Sequence, residues 1–324
     1  MNKNDKLIEI KSLKKYFPVT TNVLKKKLTD NKAVDGINLS IYKNSTLGLI
    51  GESGCGKSTA GRCILNLYKP TEGEIFYYKD KKEIQISTLG SKDMRQFRVN
   101  MQMIFQDPFS SLNPRMTVLD LISEPLKSYK IGNEKQNIQL VKEVINAVGL
   151  NQNDILRYPH TFSGGQRQRI GIARAIVQNP EFVVCDEPVS ALDVTIQSQI
   201  INLLQDLQDK YQLTYLFISH DISIIKHVSD TIAVMYLGKI IEIGPTEQII
   251  NDPKHPYTID LISSVPTLES KIIKKRLKSE IPKHRICGCN YVNRCDRSKD
   301  ICLSNKPELC ILEKNHYISC HLYN

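Results

Sequence analysis

An α/β fold built on a mainly parallel sheet is predicted by three observations. Short apolar stretches at 46–50, 182–185, 214–218 and 231–236 read as buried strands. Segments of helical periodicity alternate with them, which gives a sheet covered on both faces. Third, Gly51-Glu52-Ser53-Gly54-Cys55-Gly56-Lys57-Ser58-Thr59 matches G-x-x-x-x-G-K-[ST] between a strand and a helix.

Taken in order, residues 7–17 read as a strand that runs into Tyr16-Phe17, and the polar, lysine-rich 20–32 as a loop. Residues 33–50 alternate as strands do. The helix after the glycine run spans 57–68 and ends before Pro70, and Glu74–Tyr78 is a further strand. Residues 79–98 are mostly polar and carry no clear pattern. Leu119, Ile122 and Leu126, then Val141, Val144, Ile145 and Val148, recur at helical spacing through 117–148, and Gly149 stops the helix. A further helix covers 166–178 and an amphipathic one 196–207. The all-helical stretch predicts an inserted subdomain at about 108–178. A composition shift near Pro266 divides a domain at 1–265 from a basic, then cysteine-rich, tail at 266–324.

Composition bounds the function. A chain of 324 residues, 41% hydrophobic and 24% charged, has the make-up of an ordinary globular protein. No run approaches the roughly 18 apolar residues of a membrane span, and no apolar signal core follows Met1. We therefore expect a cytoplasmic chain that serves a membrane, if at all, through partners. The net charge of +10 is dispersed apart from Lys25–Lys27 and the 271–285 stretch, so solvated surface is favoured over an anionic membrane face or nucleic acid.

The glycine run carries the chemistry. Glycines let backbone N–H groups crowd around phosphate oxygens, and the following helix turns its N-terminus toward the anion. Lys57 is placed to reach the β- and γ-phosphates, and Ser58 to offer its hydroxyl to Mg²⁺. Asp186-Glu187 close the strand at 182–185, where ligands of open α/β sheets sit. Asp186 suits Mg²⁺ and Glu187 suits a general base for water. His220, just past the strand at 214–219, could bond the γ-phosphate or orient the Glu187–water pair, and Gln106 could ligate Mg²⁺ or its water through its amide. Ser163-Gly164-Gly165-Gln166 opens an arginine-rich helix and forms a second anion-ready helix start, or a simple cap.

These segments occur in the order of an ABC-type ATPase domain, which the chain resembles over about residues 7–250. Gly51–Thr59, Gln106, Ser163–Gln166, Cys185-Asp186-Glu187-Pro188, Ser190-Ala191-Leu192-Asp193 and Ser219-His220-Asp221 look like its six ordered motifs. The resemblance implies a head-to-tail dimer with ATP between one subunit's phosphate loop and the other's Ser163–Gln166 and Asp193. It also implies that Tyr16 stacks on adenine, with Phe17 as the substitute. A narrower resemblance, to oligopeptide/dipeptide importer ATPase subunits, rests on Lys14–Val19, Phe109–Arg115, His255-Pro256-Tyr257-Thr258, Gly288-Cys289, Arg294-Cys295, Cys302, Pro307-Glu308-Leu309 and Cys320-His321. The match is nearest to the second of the two ATPase subunits such importers carry. Implied partners are a homologous ATPase subunit, two permease subunits met through residues 104–127, and an extracytoplasmic peptide-binding protein. The implied place is the cytoplasmic face of the membrane. Importers of nickel, glutathione or antimicrobial peptides share this motor, and a nucleic-acid-linked ABC ATPase is the rival from another class.

Six of the nine cysteines lie in the last 38 residues. Four thiolates can hold a [4Fe–4S] cluster or Zn²⁺, or can remain free thiols. Resemblance to the importer family favours a [4Fe–4S] cluster on Cys289, Cys295, Cys302 and Cys320, with Cys287 and Cys310 outside the pattern. Such a cluster would staple a tail that has little apolar core. No feature of the sequence links the tail to the phosphate loop.

Overall fold

The computed structural model describes residues 6–20, 27–80, 82–107, 111–264 and 287–323. The boundary at 265/266, the 271–285 basic stretch, Lys25, Lys26, Phe109 and Ser110 lie outside them. The strands are β1 (Lys6–Thr20), β2 (Lys27–Tyr42), β3 (Thr46–Ile50), β4 (Glu72–Lys79), β5 (Lys82–Gln85), β6 (Met101–Ile104), β7 (Phe182–Asp186), β8 (Thr214–Ile218), β9 (Thr231–Tyr236), β10 (Lys239–Pro245), β11 (Cys310–Glu313) and β12 (His316–Ile318). The helices are α1 (Lys57–Ile64), α2 (Ser91–Arg98), α3 (Val118–Tyr129), α4 (Glu134–Ala147), α5 (Gly164–Ile176), α6 (Val194–Tyr211), α7 (Ile222–Val228), α8 (Thr246–Asn251), α9 (Pro256–Ser263) and α10 (Ile301–Ser304). The chain forms two compact units, one of residues 1–8, 41–46 and 77–218, the other of 9–40, 47–76 and 219–324.

In the first unit β6, β7 and β8 run parallel, with Ile104 beside Cys185 and Asp186 beside Ile218. Every residue of β7 and β8 is buried, which is why both read as unbroken apolar runs rather than alternating ones. Deleting a ring such as that of Phe182, fully buried, costs about 3–5 kcal/mol in a packed interior. Helices α3, α4 and α5 pack on one another. The predicted continuous helix at 117–148 is two helices. Lys130 adopts a left-handed φ of 57°, and Asn133 starts α4 in a reciprocal capping box with Gln136. The segment 79–98 holds β5 and α2. Only Met94 and Phe97 of α2 are buried, too few to make a visible period.

In the second unit β3 and β9 are parallel, and β10, β12 and β11 extend the sheet antiparallel from β9. Strands β2 and β1, with β4 beside them, belong to another sheet. β2 begins at Lys27, so much of the expected loop at 20–32 is strand. Helix α1 stops at Ile64, short of the predicted 68, and Asn66 just beyond it has a φ of 52°. The tail is better anchored than its composition suggests, because Tyr291, Val292 and Ile318 are all buried. No helix among the described residues is long and apolar enough to cross a membrane.

A buried polar network ties β10 to the tail and to α9. Glu242 is fully buried, accepts from the N–H groups of Lys254 (2.8 Å) and His255 (3.0 Å), and bonds His316 Nε2 at 2.8 Å. Burial works to raise its carboxyl, but these bonds together hold it below the usual range. His255 Nδ1 caps α9 by accepting the Tyr257 N–H at 3.0 Å, so that nitrogen carries no proton. Burial pushes His255 down to about 4, against the pull of Glu242. In the unfolded chain histidine titrates near ~6.5. Protons therefore bind the unfolded state first. The stability from neutral His255 is complete above about pH 6.5 and is lost as pH falls toward about 4, to the order of 3 kcal/mol. His255→Asn, which keeps a capping acceptor without a titrating ring, should flatten that acid slope in urea midpoints taken from pH 7.5 to 4.5. A slope equal to the parent's would remove His255 as its source.

Candidate functional site

The glycine run folds as a tight loop because its backbone passes other carbonyls at distances no side chain tolerates. A Cβ on Gly51 (φ 151°) would meet the Met235 carbonyl oxygen at 2.1 Å, and one on Gly56 (φ 110°) the Ala33 carbonyl oxygen at 2.0 Å. Ser53 and Gly54 are exposed, Cys55 is buried and its thiol is pushed up by burial, and Gly56 precedes α1 directly. Ser58 and Thr59 lie half-buried in the first turn of α1. Lys57 is only 4% exposed, and its Nζ donates to the carbonyls of Gly51 (2.8 Å) and Glu52 (3.1 Å). The ammonium thus sits inside the loop it belongs to, as a positive centre framed by a small backbone cradle. That arrangement fits a phosphate anion.

Tyr16 and His220 belong to the same unit. The Tyr16 hydroxyl bonds Asp35, and Lys32 Nζ lies 5.2 Å from its ring centre, so one ring face carries a cation. Phe17 packs edge-on against Tyr68 instead. His220 is exposed after β8, where Asp221 caps α7.

In the first unit, Asp186 ends β7 and is 1% exposed, while Glu187 is half-buried. Glu187 has a φ of 48°, a left-handed conformation that a long side chain adopts only when its surroundings hold it there. Its N–H donates to the Ile218 carbonyl (3.0 Å), and its own carbonyl accepts from the N–H and hydroxyl of Ser190 (3.3 and 3.1 Å). Gln106 Nε2 donates to a Glu187 carboxylate oxygen at 3.2 Å. The amide and the acid expected to act together are in contact, across 81 positions of sequence.

Ser163 caps α5. Its Oγ accepts the Gln166 N–H at 3.3 Å and Gln166 Oε1 accepts the Ser163 N–H at 3.0 Å. Ser163 and Gln166 are exposed, Gly164 is half-buried, and Gly165 packs so closely on Ile196 that a Cβ would come within 2.6 Å of it. One turn on, buried Gln168 donates to the Phe105 carbonyl beside Gln106, at 3.5 Å. Asp193 is exposed at the start of α6.

The cysteines give a different result. Cys302 and Cys320 are buried, and Cys289, Cys295 and Cys310 are half-buried. Burial and then the charges of Cys302 and Cys295 raise Cys289, and Cys320 is pushed up to about 11, mostly by burial. Among the described residues no group of three or more His, Cys, Asp or Glu is placed to hold a metal ion. The four-thiolate cluster expected on Cys289, Cys295, Cys302 and Cys320 finds no support in this arrangement. The buried Tyr291, Val292 and Ile318 supply the anchorage that the cluster was expected to give.

The expectation that nothing joins tail to phosphate loop is overturned. Arg294 grips Glu52 with two nitrogens, at 2.8 and 3.0 Å, across 242 positions. Tyr257, from the segment His255–Thr258, accepts the Glu52 N–H at 2.8 Å. Arg294 and Tyr257 both lie in segments on which the importer resemblance rests, but a contact of that span leaves no periodic trace.

The family described as ABC transporter matches residues 34–190, and the family described as oligopeptide/dipeptide transporter, C-terminal region, matches 241–302. The chain is 47% identical to the oligopeptide transport ATP-binding protein AppF of Bacillus subtilis, over 98% of each chain. It is 44% identical to the oligopeptide transport ATP-binding protein OppF of Escherichia coli, over 96% of this chain and 92% of that one. Among solved structures it is similar to a dimeric ATP-binding cassette in a post-hydrolysis state bound to ADP and Pi. That likeness has 27% identity and a TM-score of 0.64, over 74% of this chain and 99% of the other.

The loop geometry makes a direct prediction. Gly56→Ala sets a methyl against a backbone carbonyl at a left-handed φ, so it should cost about 2–4 kcal/mol or displace the loop. Gly54→Ala, with nothing within 4 Å of its Cβ, carries only the φ penalty and should cost less. Thermal unfolding of the two variants side by side checks the order, and the reverse order would refute the close approach.

Proposed function

The chain belongs to the oligopeptide transport ATP-binding proteins of the ABC transporter family, and on that premise we propose that it binds and hydrolyses ATP to power peptide import through a membrane permease. The observation that carries the reading is Lys57, buried inside the glycine loop with its ammonium on the loop's own carbonyls. A triphosphate entering that cradle offers the ammonium stronger, charged acceptors than the two carbonyls. The loop glycines with Cys55, Ser53 and Thr59 surround the phosphates, and Tyr16 offers its ring to adenine.

The remaining roles follow the family order. Glu187 takes the proton of the attacking water, and Gln106, whose amide bonds that carboxylate, helps steady the transferring phosphoryl group. His220 donates toward the γ-phosphate. By the family order, Ser58 of the second unit and Gln106 and Asp186 of the first are the residues that would hold Mg²⁺, which would offset charge on the phosphoryl oxygens. Ser163, Gly164, Gly165, Gln166 and Asp193 face the nucleotide of a second, homologous ATPase subunit. Ser163 and Gln166 satisfy each other at the start of α5, which fixes that helix end. Two permease subunits and an extracytoplasmic peptide-binding protein complete the transporter, with this subunit peripheral on the cytoplasmic face. We assign residues 1–265 to the nucleotide-binding domain, with its helical subdomain at about 108–178, and 266–324 to the tail.

Two substitutions test this. Glu187→Gln should keep ATP affinity and lower turnover by a factor on the order of 10²–10⁴, the range for a lost general base. Parental turnover would remove Glu187 from that role. Lys57→Ala should weaken ATP binding at least about tenfold, the equivalent of about 1.4 kcal/mol. An unchanged dissociation constant would end the nucleotide reading.

A further inference from the structure

We propose that Arg294, in the C-terminal tail, is a positioning residue that holds the phosphate loop in its binding shape through Glu52. The inference rests on the reading of residues 51–59 as the nucleotide site.

Glu52 is the second residue of the loop and is fixed at three atoms or groups. Its N–H donates to the Tyr257 hydroxyl at 2.8 Å. Its carbonyl accepts from Lys57 Nζ at 3.1 Å. Its two carboxylate oxygens accept separately from Arg294, Oε1 from Nη2 at 2.8 Å and Oε2 from Nη1 at 3.0 Å. A two-pronged pair of this kind fixes direction as well as distance, because the guanidinium plane and the carboxylate plane must align.

The arginine is itself held. Its side chain is 6% exposed, against 25% for that of Glu52. The guanidinium lies 5.8 Å from the ring centre of Tyr236 and 5.5 Å from that of Tyr291. Tyr236, Tyr257 and Tyr291 pack mutually, with centres 4.6 to 5.5 Å apart, and the Tyr291 hydroxyl donates to Asp260 of α9. The cage therefore draws on β9, α9 and the tail turn at 291–294 together. A surface ion pair contributes little to order, but one with a buried, ring-flanked arginine loses little further entropy and is weakly screened.

The consequence is local. The same residue presents one carbonyl to the lysine expected on the β- and γ-phosphates and its carboxylate to Arg294. Loosening the carboxylate frees the peptide that Lys57 leans on. The shape of the nucleotide cradle then depends on a residue 242 positions away.

The test uses the full chain. Arg294→Lys keeps the charge and removes the two-pronged fork, and Glu52→Gln keeps the shape and removes the charge. Each should weaken Mg·ATP binding about tenfold, measured with a fluorescent ATP analogue, and the double variant should be no weaker than either single one. Amide exchange should quicken in peptides covering 51–59 and stay at the parental rate in peptides covering 182–186. Parental affinity with parental loop exchange overturns the proposal. So do additive effects, or exchange that quickens throughout with a lower melting temperature, which would mark Arg294 as a general fold anchor. Lys57→Ala, run alongside, separates the two failures. If it binds ATP like the parent, the nucleotide reading is wrong, whereas if it fails to bind while Arg294→Lys is silent, only this inference falls.

Discussion

The closeness of backbone to backbone at the glycine loop is the constraint on which the functional half of the second unit depends. Gly51 and Gly56 lie against the carbonyls of Met235 and Ala33 with no room for one more carbon. That contact sets the direction of the peptide groups between them and buries the stem of Lys57, leaving its ammonium on the carbonyls of Gly51 and Glu52. Hydrogen bonds could reorient with modest loss, but a carbonyl cannot yield to a methyl without moving a strand or its neighbour. The loop is therefore built into the core rather than laid on it.

A second constraint operates at Glu187. A carboxylate placed in the left-handed region stores strain, and the surrounding bonds to Ile218, Ser190 and Gln106 keep it there. Gln106 follows β6 and Gln168 of α5 reaches the carbonyl of the residue before it. Movement of the helical region would thus be felt at the amide that steadies the acid. This is a mechanical connection through packed side chains, of the kind by which conformational change reaches an active group.

Most of the core was legible in the sequence because it is made of wholly buried strands. β7, β8 and β9 match the apolar runs at 182–185, 214–218 and 231–236 almost residue for residue, since burial on both faces leaves no polar positions to blur them. The loop and the acidic strand end were legible because their chemistry demands particular residue types in a short window. What was not legible depends on distance or on weak periodicity. Helix α2 buries only Met94 and Phe97, and β10, β11 and β12 gain their order from pairing with one another. The Arg294–Glu52 pair joins segments whose encounter no local pattern encodes. In the cysteine tail residue type suggested a cluster, and among the described residues no group of three or more His, Cys, Asp or Glu is placed to hold a metal ion.

The antiparallel margin of the second unit's sheet is completed by strands distant in sequence from β10. β12 covers β10 through Glu242–Ile318 and Ile243–Tyr317, and His316 neutralises the need of fully buried Glu242 for a partner. During synthesis β10 emerges some seventy residues before β12, so a nascent chain carries an open strand edge, and a buried acid short of its histidine partner, until residues 316–318 follow. Such an edge is the surface on which two unfinished copies can pair wrongly. Disrupting β12 would therefore be felt as poor yield and aggregation, even though it alters no residue of the glycine loop.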